Sequence, residues 1–366
     1  MNEKLVQFRQ ELHQIPELGY QEYKTKAYLL DHAKTLNCTI HEAGETGLVL
    51  FFDFGADSAI AFRADMDALP IQEQSLAPYV SKHPNVMHAC GHDGHMAVLL
   101  GLAYELNQLP SPQKHNVVLV FQPAEEVEAG ARIIVGSGLL ERFGVTRIFG
   151  LHIWPGLEKG HVFTRPGPLL SRGSEVNVTV HGVAAHVASK GEGNDSLEAA
   201  CSFIQDIYSR ERSLPEETDR LLKFGKMESG TARNIVSDET HCLGTLRSFD
   251  ERVHQFLKDQ LGAAAAACEE RFGTPVEIAY NDGYEAVINS QELYDSVVGS
   301  LPYVKHLPKP VMQSEDFSLY GHVCPSLFFF LGVGETPPLH NEAFDFDPEA
   351  LGQGLRLFLD LFHLPQ

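Results

Sequence analysis

The first half of the chain alternates between apolar runs of strand length and segments with helical periodicity. Apolar residues recur at helical spacing over 5–36, and Pro16 and Gly19 divide this segment into two predicted helices. Strands are predicted at 47–52, 59–63, 116–121 and 147–153, and further helices at 96–109 and 130–140. Strands that alternate with helices indicate crossover connections, and they predict an α/β fold with a mostly parallel sheet flanked by helices.

The pattern changes near residue 170, where polar and apolar residues begin to alternate. Residues 174–181, with the sequence Ser-Glu-Val-Asn-Val-Thr-Val-His, are typical of a strand with one face in solvent. A helix, two strands and a second helix follow, at 197–208, 221–228, 239–247 and 251–272. With a last strand after the second helix, this order predicts a small open-faced α+β sandwich with an exposed sheet edge.

The pattern of a buried strand returns in the last part of the chain. An apolar strand is predicted at 326–331 and a closing helix at 348–361. A chain of 366 residues is too long for one hydrophobic core. We therefore predict one α/β domain formed by 1–170 and 286–366, with an α+β lid domain over 171–285 inserted into it.

Charge and composition narrow the classes of partner. The formal net charge is −21, from 28 Lys and Arg against 49 Asp and Glu, which argues against binding nucleic acid or an anionic membrane surface. It does not argue against a small anionic substrate. We find neither a secretory signal at the N-terminus nor an apolar run of about 18 residues, and the six cysteines are scattered. These features predict a cytoplasmic protein with free thiols.

The segment from Met87 to His95 concentrates potential metal ligands. It contains one thiol, three imidazoles and one carboxylate, a donor set that suits a transition-metal ion, zinc first. Cys90 and His92 are separated by one residue, so both side chains can reach one site. The alternative is a buried thiol beside a hydrogen-bonded histidine. For Asp93 the alternative is a cap of the following helix, and for His95 it is a place on the first turn of that helix, facing outward.

Three further segments carry groups that complete such a site. Glu125 and Glu126 follow an apolar strand, and two adjacent carboxylates there need a positive charge nearby, which a metal ion supplies. The alternative is an acidic helix start. His152 and His340 are each weak candidates alone. Asp65 and Asp67 also follow a strand. One of these two acids is expected to orient a ligating histidine by accepting the second N–H of the imidazole ring.

Together these segments resemble the aminoacylase/carboxypeptidase superfamily of co-catalytic metallopeptidases. The resemblance is strongest to its amidohydrolase branch, which contains hippurate hydrolases, auxin-conjugate hydrolases and the N-acetyl-diaminopimelate deacetylases of lysine biosynthesis in Gram-positive bacteria; the last group is most similar. The matching segments are 12–19, 63–70, 88–95, 121–126, 150–152, 244–247, 314–317 and His340. The resemblance implies a fold like that of zinc exopeptidases for the first domain.

The resemblance also implies two divalent metal ions per chain, zinc, manganese, cobalt or nickel. Cys90 matches the residue that bridges the two ions in this family. His92 and His152 match the ligands that complete one metal site. Glu126 and His340 match those that complete the other.

Further roles follow from the same resemblance. Glu125 matches the general base, and Asp65 matches an acidic residue that supports a ligand. His186 matches a lid histidine that polarises the scissile carbonyl, often in the partner subunit, whereas Asn234 and Arg247 match lid positions that hold the polar end of the substrate. The sequence departs from the family pattern at Ala184-Ala185-His186 and at Lys190-Gly191.

The implied activity is hydrolysis of an N-acyl amino acid by a metal-dependent enzyme. The first expectation is conversion of N-acetyl-L,L-diaminopimelate to L,L-diaminopimelate and acetate. The alternatives are a broader aminoacylase or hippurate-type hydrolase and, more remotely, an inactive relative that binds metal. The resemblance also implies a homodimer formed through the lid domain, with a small molecule as the other partner.

Overall fold

The computed structural model describes residues 1–127, 129–189 and 191–364. The chain forms two compact units. The first comprises Met1–Leu169, Val287–Lys309 and Asp316–Gln366. The second comprises Leu170–Ala286 and Pro310–Glu315, so that a short segment from the C-terminal part of the chain groups with the second unit.

The first unit begins with two helices, a sheet and the helices that cross over it. Its elements are α1 (Asn2–His13), α2 (Tyr23–Ala33), β1 (Thr39–Ala43), β2 (Gly47–Phe52), β3 (Ala59–Asp65), α3 (His92–Leu106), β4 (Asn116–Gln122), α4 (Ala131–Gly136), α5 (Leu139–Arg142), β5 (Val145–Trp154), β6 (Val162–Thr164) and β7 (Gly167–Leu170). The single helix predicted at 130–140 is divided into α4 and α5, because Gly138 adopts a φ of +69° that a helix cannot continue through.

The second unit contains one antiparallel sheet and two helices. Its elements are β8 (Arg172–His181), α6 (Ser196–Glu211), β9 (Arg220–Ser229), β10 (Glu239–Ser248), α7 (Glu251–Phe272) and β11 (Val276–Asp282). The chain then returns to the first unit with β12 (Val287–Asn289), α8 (Gln291–Ser300), β13 (Val304–His306), a 3₁₀ helix (Asp316–His322), β14 (Ser326–Gly332), a 3₁₀ helix (Pro348–Ala350) and α9 (Leu351–His363).

The sheet of the first unit has eight strands in the order β1-β2-β4-β3-β5-β14-β6-β13. Parallel pairing joins β4 to β3, β3 to β5, β5 to β14 and β6 to β13. The pairs β1–β2, β2–β4 and β14–β6 are antiparallel. The central strands are buried along their whole length, as strands covered on both faces are. The predicted α/β class with a mostly parallel sheet is confirmed.

Helix α3 is the central helix of the first unit, and it packs against α1, α9 and the sheet. It begins at His92 and not at Met96 as the periodicity predicts, because Gly91 takes a φ of +87° and turns the chain directly into the helix. The first helical turn therefore contains polar residues of the ligand-rich segment. Across the described residues, no helix combines the length and the apolar character needed to cross a bilayer.

The second unit has the sheet order β11-β8-β10-β9, and α6 and α7 pack on the sheet around a core of its own. Asp195 and Asp250 cap these helices by accepting hydrogen bonds from backbone amides in the first turn. The β-α-β-β-α-β order of an open-faced sandwich is the one that the sequence predicts. Because β9 and β11 each pair on one side, both are edge strands.

Candidate metal centre

Three neighbouring strands deliver polar side chains to one edge of the sheet. Asp65 is the last residue of β3, Glu125 and Glu126 follow β4, and His152 lies near the end of β5. These strands are parallel and adjacent in the order β4-β3-β5, so their carboxyl ends meet at the same edge. Open α/β sheets bind their ligands at this edge.

All five predicted metal ligands converge there. The ligand atoms of Cys90, His92 and His152 lie within 4.8 Å of one another, and so do those of Cys90, Glu126 and His340. The Cys90 Sγ atom is 3.4 Å from Nε2 of His152, and His340 Nε2 is 3.3 Å from Oε1 of Glu126. The five side chains therefore form two sets of three donors that share the Cys90 sulfur.

Backbone carbonyls orient the two buried histidines among the predicted ligands. Nδ1 of His92 lies 2.9 Å from the carbonyl oxygen of Asp67, and Nδ1 of His152 lies 2.6 Å from that of Ile153. Each Nδ1–H donates to its carbonyl, which leaves Nε2 as the atom that faces the cluster. The buried Nε2 of His92 has no hydrogen-bond partner among the described residues. An imidazole nitrogen presented in this way fits a bound divalent cation.

The charges around the cluster also fit a cation. Burial raises the pKa of the Cys90 thiol, and the carboxylates of Glu126 and Glu125 raise it further, well above its ordinary value. Burial opposes a charge on His92, but Asp65, Asp67 and Glu126 together outweigh it and raise the pKa of His92 to about 10. The pocket is thus strongly negative and stabilises positive charge. A divalent ion would supply this positive charge and stabilise the thiolate form of Cys90.

His340 reaches the cluster from a distant loop. Its backbone N–H donates to the carbonyl oxygen of Ala89 at 2.8 Å, which fixes the loop beside Cys90. His340 itself has a φ of +62°, and its side chain is 52% exposed. It therefore lies at the solvent side of the cluster, whereas Cys90, His92 and His152 are buried.

Asp65 supports a histidine that is not one of the five candidate ligands. Its Oδ1 is 2.6 Å from Nδ1 of His95, and its Oδ2 accepts a hydrogen bond from Arg63 at 2.7 Å. His95 is 2% exposed, and its Nε2 accepts the Ile153 N–H at 2.8 Å, so both ring nitrogens have partners. The alternative in which His95 faces outward is therefore wrong. Burial opposes ionisation of Asp65, but His92, His95 and Arg63 together lower its pKa well below the usual range.

Asp67 is the acidic residue beside His92, one of the predicted ligand histidines. Nδ1 of His92 faces both the backbone carbonyl oxygen of Asp67, at 2.9 Å, and the carboxylate Oδ1 of the same residue, at 3.4 Å. The other oxygen of this carboxylate, Oδ2, accepts the backbone N–H of Glu126 at 2.9 Å. Asp67 therefore holds a residue from each of the two donor sets.

A buried ionic network that the sequence motifs did not predict surrounds Asp93, the residue after His92. Asp93 Oδ2 accepts from His13 at 2.8 Å and from Arg9 at 3.1 Å, and His13 Nε2 lies 3.2 Å from Glu73. Asp93 is therefore an ion-pair partner inside α3 and not a helix cap. Burial opposes the charge on His13, but Asp93 and Glu73 raise its pKa to about 9. Arg9 and His13 share the face of α1 that also buries Leu12, which is the pattern that could have revealed them.

The second unit contains the three candidate residues of the lid. His186 and Asn234 are exposed and lie on adjacent loops, because the Val187 N–H donates to the Asn234 carbonyl at 3.2 Å. Arg247 is near the far end of β10, where it donates to the hydroxyl of Ser314 at 2.7 Å. Their roles toward substrate stay predictions. Lys190, one of the departures from the family pattern, lies outside the described residues.

Comparison with known proteins identifies the family. Residues 61–363 match the family described as Peptidase family M20/M25/M40. The chain belongs to this family. A protein of this family with the five donors in place is a metal-dependent hydrolase, as the sequence predicts.

Relatives of this M20 protein match it over almost its whole length. An N-acetyldiaminopimelate deacetylase of Lactococcus lactis subsp. cremoris is 32% identical, over 96% of this chain and 97% of its own. A protein of the same name from Oceanobacillus iheyensis is 34% identical over 98% of both chains. A Staphylococcus haemolyticus relative, called an uncharacterized hydrolase, is 31% identical over 95% of this chain and 94% of its own.

Solved structures agree with the M20 fold. A Bacillus subtilis protein described as a dinuclear metal binding peptidase from the M20 family is 30% identical and superimposes with a TM-score of 0.85, covering 99% of this chain and 97% of its own. A Staphylococcus aureus protein superimposes with a TM-score of 0.92 at 28% identity, over 98% of this chain and 96% of its own. The dinuclear description agrees with two donor sets around Cys90, and it supports two metal ions.

Proposed function

We propose that this M20 hydrolase deacylates N-acyl amino acids, and that its substrate is N-acetyl-L,L-diaminopimelate. The products are L,L-diaminopimelate and acetate, which places the enzyme in lysine biosynthesis in the cytoplasm. The observation that carries the activity is the convergence of five donor atoms from distant segments around Cys90, with Glu125 beside them. The names of the relatives support the choice of substrate.

The two donor sets would hold two divalent ions, and Cys90 belongs to both sets. His92 and His152 complete one set, and Glu126 and His340 complete the other. When bound, such ions polarise an amide carbonyl and lower the pKa of water toward about 7. Zinc, manganese, cobalt and nickel all suit this mixture of thiolate, imidazole and carboxylate ligands.

Glu125 acts as the general base and then as the general acid. Its side chain is 7% exposed, and a carboxylate oxygen lies within 4.8 Å of ligand atoms of His92 and Glu126. It takes a proton from the attacking water as the new C–O bond forms. It then gives the proton to the amide nitrogen as the C–N bond breaks, which releases acetate and the free amine.

The second unit contributes substrate recognition and dimerisation. His186 donates a hydrogen bond to the scissile carbonyl oxygen, and Asn234 and Arg247 hold the polar end of the substrate. The protein is a homodimer, and the exposed edge strands of the second unit provide a surface for pairing. The support for these roles is the family resemblance.

A comparison of three substrates tests the proposal. The purified protein is dialysed against a chelator, reloaded with each candidate metal and assayed with N-acetyl-L,L-diaminopimelate, hippurate and N-acetyl-methionine. We expect about two ions per chain, loss of activity on chelation and preference for the first substrate. Equal rates on all three would reject the biosynthetic assignment in favour of a broad aminoacylase. A protein that binds metal but hydrolyses none of them is an inactive relative.

A further inference from the structure

The Glu125–Glu126 pair leaves β4 through a turn in an unusual backbone conformation. Strand β4 ends at Gln122, and two residues later Ala124 has a φ of +56°. Residues other than glycine rarely adopt this left-handed region, because the Cβ atom crowds the backbone. The turn decides where the Glu125 side chain points, so an interaction has to hold Ala124 in this conformation.

That interaction is a hydrogen bond to a carboxylate from another part of the chain. Oε1 of Glu22 accepts the Ala124 N–H at 2.8 Å, across 102 positions of sequence. Glu22 is 0% exposed, and the Ala124 carbonyl in turn accepts the Gly130 N–H at 3.1 Å. Both backbone polar groups of Ala124 are therefore held.

Helix capping does not explain why the Glu22 carboxylate is buried. It occupies the N-cap position of α2, yet its side chain makes no capping hydrogen bond to the amides of that helix. The carboxylate is instead directed at the turn after β4. A buried carboxylate that serves a strained residue next to Glu125 points to a role in the geometry of the site.

Packing leaves the turn little freedom to relax. A Cβ atom on Gly130 would lie 1.6 Å from the Pro123 carbonyl oxygen, and one on Gly19 would lie 3.1 Å from Cα of Ala124. On the other side of Glu125, the Asp67 carboxylate accepts the N–H of Glu126. Glu125 thus stands between two residues whose amides are each held by a buried carboxylate.

We infer that Glu22 is a positioning residue, which directs the Glu125 side chain by holding Ala124 in the left-handed conformation. The inference rests on the proposed function of Glu125 as general base. Glu22 acts through the backbone and does not touch the substrate. Its removal therefore impairs turnover more than it impairs binding of substrate or metal.

The test compares variants that keep or remove the acceptor oxygen. Glu22→Gln retains an amide oxygen of the same reach, whereas Glu22→Met fills a similar volume without an acceptor. We expect kcat of Glu22→Met to fall about 10- to 100-fold, as for other small displacements of a catalytic group, with KM and metal content close to wild type. We expect Glu22→Gln to stay within about threefold of wild type, because its amide oxygen still accepts the Ala124 N–H.

A second substitution that restores activity distinguishes a positioning role of Glu22 from a general effect on folding. Adding Ala124→Gly to Glu22→Met restores part of kcat, since glycine adopts a positive φ without steric cost. A crystal structure of metal-free Glu22→Met should show Ala124 outside the left-handed region. If Glu22→Met does not fold, Glu22→Asp replaces it, because the shorter side chain withdraws the acceptor from the Ala124 amide.

Three outcomes overturn the inference. They are wild-type kcat in Glu22→Met, equal losses in Glu22→Met and Glu22→Gln, and an unchanged Ala124 φ in the variant crystal structure. If Glu22→Met has a lower melting temperature but an unchanged kcat per metal-loaded site, Glu22 stabilises the fold and does not position Glu125. If wild-type protein hydrolyses no N-acyl amino acid, the proposed function fails, and the crystal structure still decides whether Glu22 holds the turn.

Discussion

The Cys90 Sγ atom lies 3.4 Å from Nε2 of His152, although 62 positions of sequence separate the two residues. Gly91 turns the chain from Cys90 directly into α3, and the carbonyl of Ile153 orients the His152 ring toward the sulfur. The same sulfur lies within 4.8 Å of ligand atoms of Glu126 and His340. Cys90 is therefore the structural link between the two donor sets, and its removal should affect both.

We predict that Cys90→Ala and His152→Ala differ in the number of ions they retain. Cys90→Ala removes a ligand from both sets and should keep well under one tightly bound ion per chain. His152→Ala removes a ligand from one set only and should keep about one. Elemental analysis after dialysis measures both numbers, with circular dichroism as a control for folding. Retention of two ions by Cys90→Ala would contradict the shared-ligand arrangement.

Substitutions of the adjacent residues Glu125 and Glu126 should have different effects on turnover and metal content. Glu125→Gln removes the proposed base and should lower kcat by about 10²- to 10⁴-fold while both ions and the fold are kept. Glu126→Gln is the matched control, because it weakens a metal ligand one position along the chain and should reduce metal content. Steady-state kinetics with metal analysis on the same samples distinguishes them. Near-normal turnover in Glu125→Gln is incompatible with its role as the base.

The sequence is most informative where local patterns determine structure. Helix α7 occupies Glu251–Phe272 as the periodicity predicts, because an amphipathic stripe, the Asp250 cap and Gly273 at its end all agree. Cys90 and His92 stand out in a short motif, because a thiol and several imidazoles close together suit a transition-metal ion. His152 and His340 are weak candidates alone, and their ligand roles came from the family resemblance.

The sequence is less informative where tertiary partners decide. The start of α3 was missed because His92, Asp93 and His95 resemble a polar loop when their partners are unknown. In the structure, partners from other elements, such as Arg9 and Asp65, bury and neutralise these side chains. The strained turn at Ala124 was missed for the same reason, because nothing local indicates that Glu22 holds its amide.

Mixing experiments test whether His186 serves the site of a partner subunit. Glu125→Gln and His186→Ala should each be nearly inactive alone. In a mixed dimer, one site combines an intact Glu125 with an intact His186 from the other subunit, so mixing equal amounts should restore about a quarter of wild-type activity. Activity is measured after unfolding and refolding the mixture together. No recovery, with metal content intact, argues that His186 acts within its own subunit or not at all.

The pKa of His13 predicts how the stability of the metal-free protein depends on pH. Burial opposes the charge on His13, but Asp93 and Glu73 raise its pKa to about 9, above the ordinary value of about 6.5. The folded state therefore binds the proton more tightly than the unfolded state does. The stabilisation, about 3 kcal/mol, is fully present below about pH 6.5 and is lost as pH rises through about 9.

His13→Gln should remove this alkaline dependence. We expect the difference in melting temperature between wild type and His13→Gln to be largest near pH 6 and to shrink steadily by pH 9.5, in metal-free protein. His32→Gln is the matched control, because burial lowers the pKa of His32 and its neutral form is the one favoured in the folded state. The contribution of His32 to stability is lost as pH falls. Its substitution should therefore leave the decrease in melting temperature at alkaline pH unchanged. A difference between wild type and His13→Gln that stays constant from pH 6 to 9.5 would mean that His13 is not held protonated by Asp93 and Glu73.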